Sequence, residues 1–261
     1  MTLIVDEVML REPNLLVPGK KPVGPVKIDW NHILSKDLAA YWLFQSGHPR
    51  DMVGNNHGTY YADVKPNSHQ GGSRYCPVST DEGSALEITD NTVFRPDSNG
   101  MTAIVDFEIF TMNTATIGLL NRYQGVPSAV RSWLFGLTAG GNLIGAFSTN
   151  GTYQGANNVN GSATVSINNR YVAAMTWKPS TATLYLNGVQ DGINTSSASS
   201  LHTGSTPLYI GGPQYSPRGI GSAQNSLLFG HVYSASFYRR VLSTAEIYSL
   251  YHDRYQFLIP A

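Results

Sequence analysis

The dipeptide Asn187-Gly188, at the end of the segment YVAAMTWKPSTATLYLNGVQDG (Tyr171–Gly192), constrains the chain to antiparallel sheet. A two-residue primed turn needs positive φ at both central positions, which Asn and Gly tolerate. Its twist joins one strand to an antiparallel neighbour. Ahead of it, alternation places Ala173, Met175 and Trp177 on one face of a first strand. Lys178-Pro179 leads into a turn, and Leu184 and Leu186 then oppose Tyr185 on a second strand.

The same grammar runs from Leu38 onward. LAAYWLF is apolar throughout and reads as a buried strand, followed by the Gly/Asn-rich turn DMVGNNHGT. In SALEIT, Leu86 and Ile88 face away from Glu87; in TAIVDFEIF, Ala103, Val105, Phe107 and Ile109 share one face. SWLFGLTAGGNLIGAF reads as a hairpin around Gly140-Gly141. PLYIGG and LLFGHVYSASFY add two further strands. One helix is signalled, in RRVLSTAEIYSLYHD: Ser243 caps, Glu246 reaches back, and Leu242 with Ile247 forms a hydrophobic staple. Many short strands with almost no helical periodicity predict an all-β, two-sheet antiparallel jelly-roll sandwich with one short C-terminal helix.

Charge narrows the partners. Seventeen basic residues balance seventeen acidic ones, and only 13% of the 261 residues are charged. No long-range field would draw in nucleic acid or an anionic membrane, and neither is expected as a partner. No stretch approaches the roughly 18 apolar residues of a membrane helix. Cys76 is the only cysteine, so no intramolecular disulfide forms. The opening MTLIVDEVMLREPN does not have the pattern of a secretory signal, and the chain is expected to fold in a cytosol. The sequons at Asn150, Asn160 and Asn194 are then chance products of a Ser/Thr/Asn-rich sequence.

Residues 1–29 differ from the rest, and residues 30–261 are expected to form the sandwich. Pro13, Pro18, Pro22 and Pro25 block helix and central strand. Leu15, Leu16, Val17, Val23, Val26 and Ile28 are too apolar for a solvated leader. The segment is expected to be an extended arm lying on its own domain or on a neighbouring subunit.

The order of these segments resembles the laminin-G-like branch of the concanavalin A-like jelly rolls. It is carried by a strand ending in Trp177, the Asn187-Gly188 turn, and a closing motif with Gly230, Val232, Arg240, Leu242, Ser243, Glu246 and Ile247 in place. The resemblance covers about Leu38 to Tyr255. The flanks GKKPVGPVKIDWNHILSKDLAAYW and YQFLIP are similar to laminin-G-like proteins encoded among the structural genes of tailed bacteriophages. That likeness implies a non-catalytic virion component, such as a capsid decoration assembled in the host cytoplasm. It also implies contact with the major capsid protein or another virion protein, through a homo-oligomer, with a trimer favoured.

The alternative is a carbohydrate-binding module, for which Tyr153 in NGTYQGANN and Tyr215 in GGPQYSPRG are the candidates for contact with glycan or partner. An enzyme is not expected. Retaining glycosidases need two converging carboxylates, and the nearest approach, Asp106-Phe107-Glu108, lacks a third acid and reads as a solvent-facing strand edge. No Gly-x-Ser-x-Gly elbow, phosphate loop or metal-spaced histidine pair is present. His57 and His231 read as structural. No cofactor is expected; structural calcium would have to come from Asp81, Glu82, Asp90 and Asp97 in inter-strand loops.

Overall fold

The computed structural model describes residues 16–22, 24–45, 48–60, 65–67, 73–76, 85–112, 114–124, 130–212 and 227–261. Among these, seventeen strands and one α-helix alternate with turns. In chain order the strands are β1 (Val26–Ile28), β2 (Leu38–Trp42), β3 (Gly58–Tyr60), β4 (Lys65–Asn67), β5 (Ser73–Cys76), β6 (Leu86–Ile88), β7 (Met101–Thr111), β8 (Ile117–Gln124) and β9 (Val130–Leu137). They continue as β10 (Asn142–Gly151), β11 (Val159–Thr164), β12 (Arg170–Lys178), β13 (Thr181–Leu186), β14 (Val189–Asn194), β15 (Leu208–Ile210), β16 (Phe229–Tyr238) and, after helix α1 (Thr244–His252), β17 (Leu258–Pro260).

Two antiparallel sheets make the sandwich. One runs β11-β10-β9-β8-β15-β6-β3; the other runs β14-β13-β12-β7-β16-β5-β4, with β2 also pairing β16. The opening hairpin is β12–β13, in register from Ala173 opposite Leu186 to Lys178 opposite Thr181. The turn that follows it has φ of +50° at Asn187 and +81° at Gly188. Asn187 also bonds across the hairpin, its backbone N–H to the Val172 carbonyl and its Oδ1 to the Val172 N–H.

Alternation decides what fills the space between the sheets. Ala103, Val105, Phe107 and Ile109 of β7, Ala173, Met175 and Trp177 of β12, and Leu184 of β13 enter one core with Trp42, Trp133 and Phe237. Phe237 stacks on Trp133 with centroids 5.6 Å apart. The opposite face of the β7–β12–β16 sheet is also covered. There Ile104, Val172, Ala174, Tyr185 and Tyr238 pack against Ile247 and Leu250 of α1 and against Phe257 and Leu258.

The helix begins at the cap that its residues specify. Ser243 Oγ accepts from the Glu246 N–H, and the Glu246 carboxylate accepts from the Ser243 N–H at 2.8 Å. Leu242 and Ile247 are both buried beside this cap.

Where it is described, between residues 16 and 28, the leading segment packs on the sandwich. β1 pairs with β17, Val26 opposite Pro260 and Ile28 opposite Leu258. Ile28 is buried, and Leu16 and Val26 pack against the cluster around α1, whereas Val17 is exposed. Gln45 Nε2 donates to the carbonyls of Pro22 and Gly24, and Gly19 N–H to Asp253 Oδ1. Leu15 and Val23 lie outside the described residues.

Candidate functional site

The loop after β10 carries Tyr153. Short polar side chains fold it by bonding their own backbone, as Asx and Ser/Thr turns do. Ser148 Oγ donates to the Thr152 carbonyl at 2.6 Å, Asn150 Oδ1 accepts from Thr152 N–H, Gln154 Oε1 from Thr149 N–H, and Asn157 Nδ2 donates to the Phe147 carbonyl. The aromatic ring stands on this scaffold. A Cβ at Gly155 would lie 3.1 Å from the Tyr153 hydroxyl, so glycine lets the ring fold over the turn. Tyr153 is 58% exposed, although burying such a ring is the favoured outcome.

Beneath it lies a groove of about 240 Å³, lined by Thr116, Arg131, Leu134, Ile144, Ala146, Tyr153 and Asn158. Its floor is the outward face of the seven-stranded sheet, where Leu134, Ala146 and Tyr123 form a small apolar cluster of their own. Its polar groups include Arg131 and Asn158, the latter donating Nδ2 to the Tyr153 hydroxyl at 3.4 Å. Among the described residues, no acid lines it.

Arg131 reaches this face through a β-bulge. Trp133 pairs with Arg122, but Arg131 pairs with Tyr123, leaving Ser132 as the extra residue. Simple alternation would turn Arg131 inward with Trp133 and Phe135. The bulge re-aims it to the side of Leu134. The guanidinium sits 5.4 Å from the Tyr123 ring centroid. The sequence pattern singles out Tyr153 but not Arg131 or Asn158; a lone cation in an apolar strand is the signal that could have found the arginine. Tyr215 lies outside the described residues.

A larger hollow, about 590 Å³, separates residues 24–27 from residues 43–45 and 48–52. Two of its polar side chains, Asp51 and Gln45, are committed to the fold. Asp51 accepts from the N–H groups of Tyr41, Val53 and Gly54, and the Gln45 amide holds the leading segment. His57 Nδ1 accepts from Asp51 N–H, a structural role.

The acid pair on β7 corrects a sequence expectation. Asp106 is not at a solvent-facing edge: β7 is interior to its sheet, between β12 and β16, and Asp106 is 2% exposed. α1 and the C-terminal strand cover that face, which strand alternation alone does not foretell. Arg170 holds Asp106 through Nε (2.8 Å) and Nη2 (2.6 Å), and Arg254 Nε approaches to 3.6 Å. Glu108 accepts from the Tyr233 hydroxyl at 2.7 Å. Burial and the Glu108 carboxylate both push the Tyr233 pKa up, keeping that hydroxyl a donor. These acids are engaged in the fold rather than presented to a cleft. His231 is buried, with Nδ1 2.7 Å from Ser73 Oγ.

The loop acids considered for calcium are equally occupied where described. Asp90 takes Arg122 at 2.6 Å, Arg95, and the Ser205 hydroxyl. Burial would raise its pKa, but Ser205 and the two guanidiniums hold it below the ordinary value. Asp97 pairs with Arg239. Asp81 and Glu82 lie outside the described residues. Among the described residues, no three His, Cys, Asp or Glu side chains converge to hold a metal.

Two face-to-face antiparallel sheets, with a groove on the outer side of one, define a jelly-roll sandwich. The chain belongs to the laminin-G-like family of the concanavalin A-like lectin/glucanase superfamily, whose model matches residues 80–248. Solved structures share the fold at low identity. The binding domain of Paraclostridial Mosquitocidal Protein 1 aligns with TM-score 0.63 and 16% identity over 84% of this chain and 52% of that one. Domain 4 of AbnA, a GH43 extracellular arabinanase from Geobacillus stearothermophilus solved with arabinotriose, aligns with TM-score 0.60 and 13% identity over 82% of this chain and 98% of that one. The binding domain of botulinum neurotoxin serotype G aligns with TM-score 0.60 and 14% identity, over 82% of this chain and 50% of that one. The chain thus spans about half the length of the two toxin domains. A sequence comparison with curated proteins finds no match.

Proposed function

We propose that the protein is a non-catalytic carbohydrate-binding module whose site is the groove beneath Tyr153. The carrying observation is the exposed Tyr153 ring, fixed by its loop at the rim of a groove with an apolar floor and polar groups from Arg131 and Asn158. A sugar offers the matching surfaces, a C–H face to an aromatic ring and hydroxyls to side-chain donors and acceptors. The groove falls just below the usual range of about 300–1,000 Å³ for small-molecule pockets. It suits a sugar unit at a chain end better than an enclosed polymer. The arabinanase domain solved with arabinotriose supports the reading by likeness of fold. Catalysis is not assigned, because Asp106 and Glu108 are bonded to Arg170 and Tyr233. A glycan array with the full chain, alongside Tyr153→Ala, tests this. Binding to one glycan class that the variant loses is expected; no binding to any glycan would overturn it.

A second reading, a tailed-phage particle component such as a capsid decoration, rests on the likeness of the two flanks alone. The two flanks similar to such proteins meet each other in the β1–β17 pair. Since residues 16–28 contribute to the domain's own packing, truncation after residue 15 is the appropriate test. Loss of association with particles by a folded truncated chain supports this reading, and a free monomer that never associates with particles opposes it.

A further inference from the structure

Resting on the carbohydrate-binding reading, we infer that the groove selects a carboxylate-bearing saccharide, with Arg131 as the residue that recognises the acid. Three observations converge. Among the described residues, Arg131 is the only charged one lining the groove. It forms no salt bridge with any of them, and its Nε has no hydrogen-bond partner, whereas Arg95, Arg122, Arg170, Arg239, Arg240 and Arg254 each meet an acid; Arg50, at the larger hollow, also meets none among the described residues. Finally, the bulge at Ser132 turns the side chain to the groove, where alternation would have buried it in the core.

Arg131 thus brings a guanidinium without an anion, among the described residues, to a groove whose floor is apolar. Its planar fork matches a carboxylate in two parallel N–H···O bonds. The Tyr123 ring, 5.4 Å below, restricts the fork and lowers the entropy lost on binding. Tyr153 and Arg131 line the same groove, so a pyranose ring could lie on the tyrosine while its carboxylate meets the arginine. A neutral sugar would leave that cation unanswered.

The test is titration of the full chain, by calorimetry or ligand-observed NMR, with three sets of oligosaccharides. These are galacturonic-acid and sialic-acid oligomers as two carboxylate sources, the methyl esters of both, and neutral galactose oligomers. At least one acid should bind about tenfold more tightly than its ester, and should weaken as salt rises. Arg131→Gln should bring that acid down to the level of its ester, while Arg131→Lys restores part of the difference. Thermal melts of both variants should match the parent, which separates lost recognition from lost fold. Equal binding of acid and ester, or an acid preference untouched by Arg131→Gln, would overturn the inference while leaving a carbohydrate-binding module in place. If none of the three sets binds, and a broad glycan array is also blank, the inference falls together with the reading on which it rests.

Discussion

Arg170 and Asp106, on neighbouring strands and 64 residues apart in sequence, form a two-point ion pair at 2.8 and 2.6 Å on the helix-covered face of the sheet. The Arg170 guanidinium also stacks over the Tyr233 ring, 3.9 Å from its centroid. Asp106 is thereby the hub of a buried polar cluster that joins β7, β12, the C-terminal segment and the leading segment. Burial alone would lower the Arg170 pKa, yet the Asp106 carboxylate raises it well above the ordinary value.

Removing one partner of a buried pair strands the other. Asp106→Asn is expected to destabilise the fold by about 3–5 kcal/mol, measured by denaturant unfolding, because Arg170 and Arg254 lose their counter-charge. A loss below about 1 kcal/mol would show that the pair is solvated in solution.

Lys21 gives the cluster a pH signature. It is 9% exposed, its Nζ donates to the Tyr233 carbonyl at 2.7 Å, and burial brings its pKa down to about 7, with Asp106 opposing and Arg170 assisting the shift. Between pH 7 and about 10 the unfolded chain then holds a proton that the folded chain has released, so stability rises with pH across that window. Below pH 7 both states are protonated and this gain is absent. Lys21→Met should flatten the rise, as read by melting temperature between about pH 6.5 and 9.5. An unchanged slope would refute the assignment.

At the turn after β13, Gly188 lies at φ +81°, and a Cβ would sit 3.1 Å from Tyr248 Cδ2 and from Tyr251 Cβ of α1. Gly188→Ala should therefore cost about 1–2 kcal/mol, seen as a lowered denaturant midpoint. A neutral result would mean that the helix can withdraw from the turn.

The cap of α1 is separable from both. Ser243→Ala should cost about 1 kcal/mol. Burial would raise the Glu246 pKa, but Arg240 and Ser243 hold it below the ordinary value. Its contribution is present above the unfolded carboxyl pKa and lost as pH falls through the folded one. Acid titration of the parent and of Glu246→Gln by circular dichroism should show that difference.

Tyr153→Ala should leave the melting temperature within experimental scatter, since exposed substitutions usually shift stability by less than about 0.5 kcal/mol. Glycan affinity should fall at least about tenfold. A large drop in melting temperature would instead make Tyr153 a packing residue.

Features set by neighbours along the chain are legible in the residues alone. The Asn187-Gly188 turn, the Ser243/Glu246 box, and the inward faces of β7 and β12 depend on local φ preference, capping and a two-residue period, and each takes the form that the residues specify. Tyr153 stands out because a large ring in a polar loop lacks a local reason to be there. Two matters belong to the tertiary structure. Arg131 turns outward only because β9 gains a residue, Ser132, against β8, and register belongs to a strand pair rather than to a strand. Asp106 is buried only because α1 and the C-terminal segment cover the second face of that sheet, supplying Arg254 while neighbouring β12 supplies Arg170. Local residue preferences decide which way a backbone can bend. Which charges meet across it depends on contacts between segments far apart along the chain.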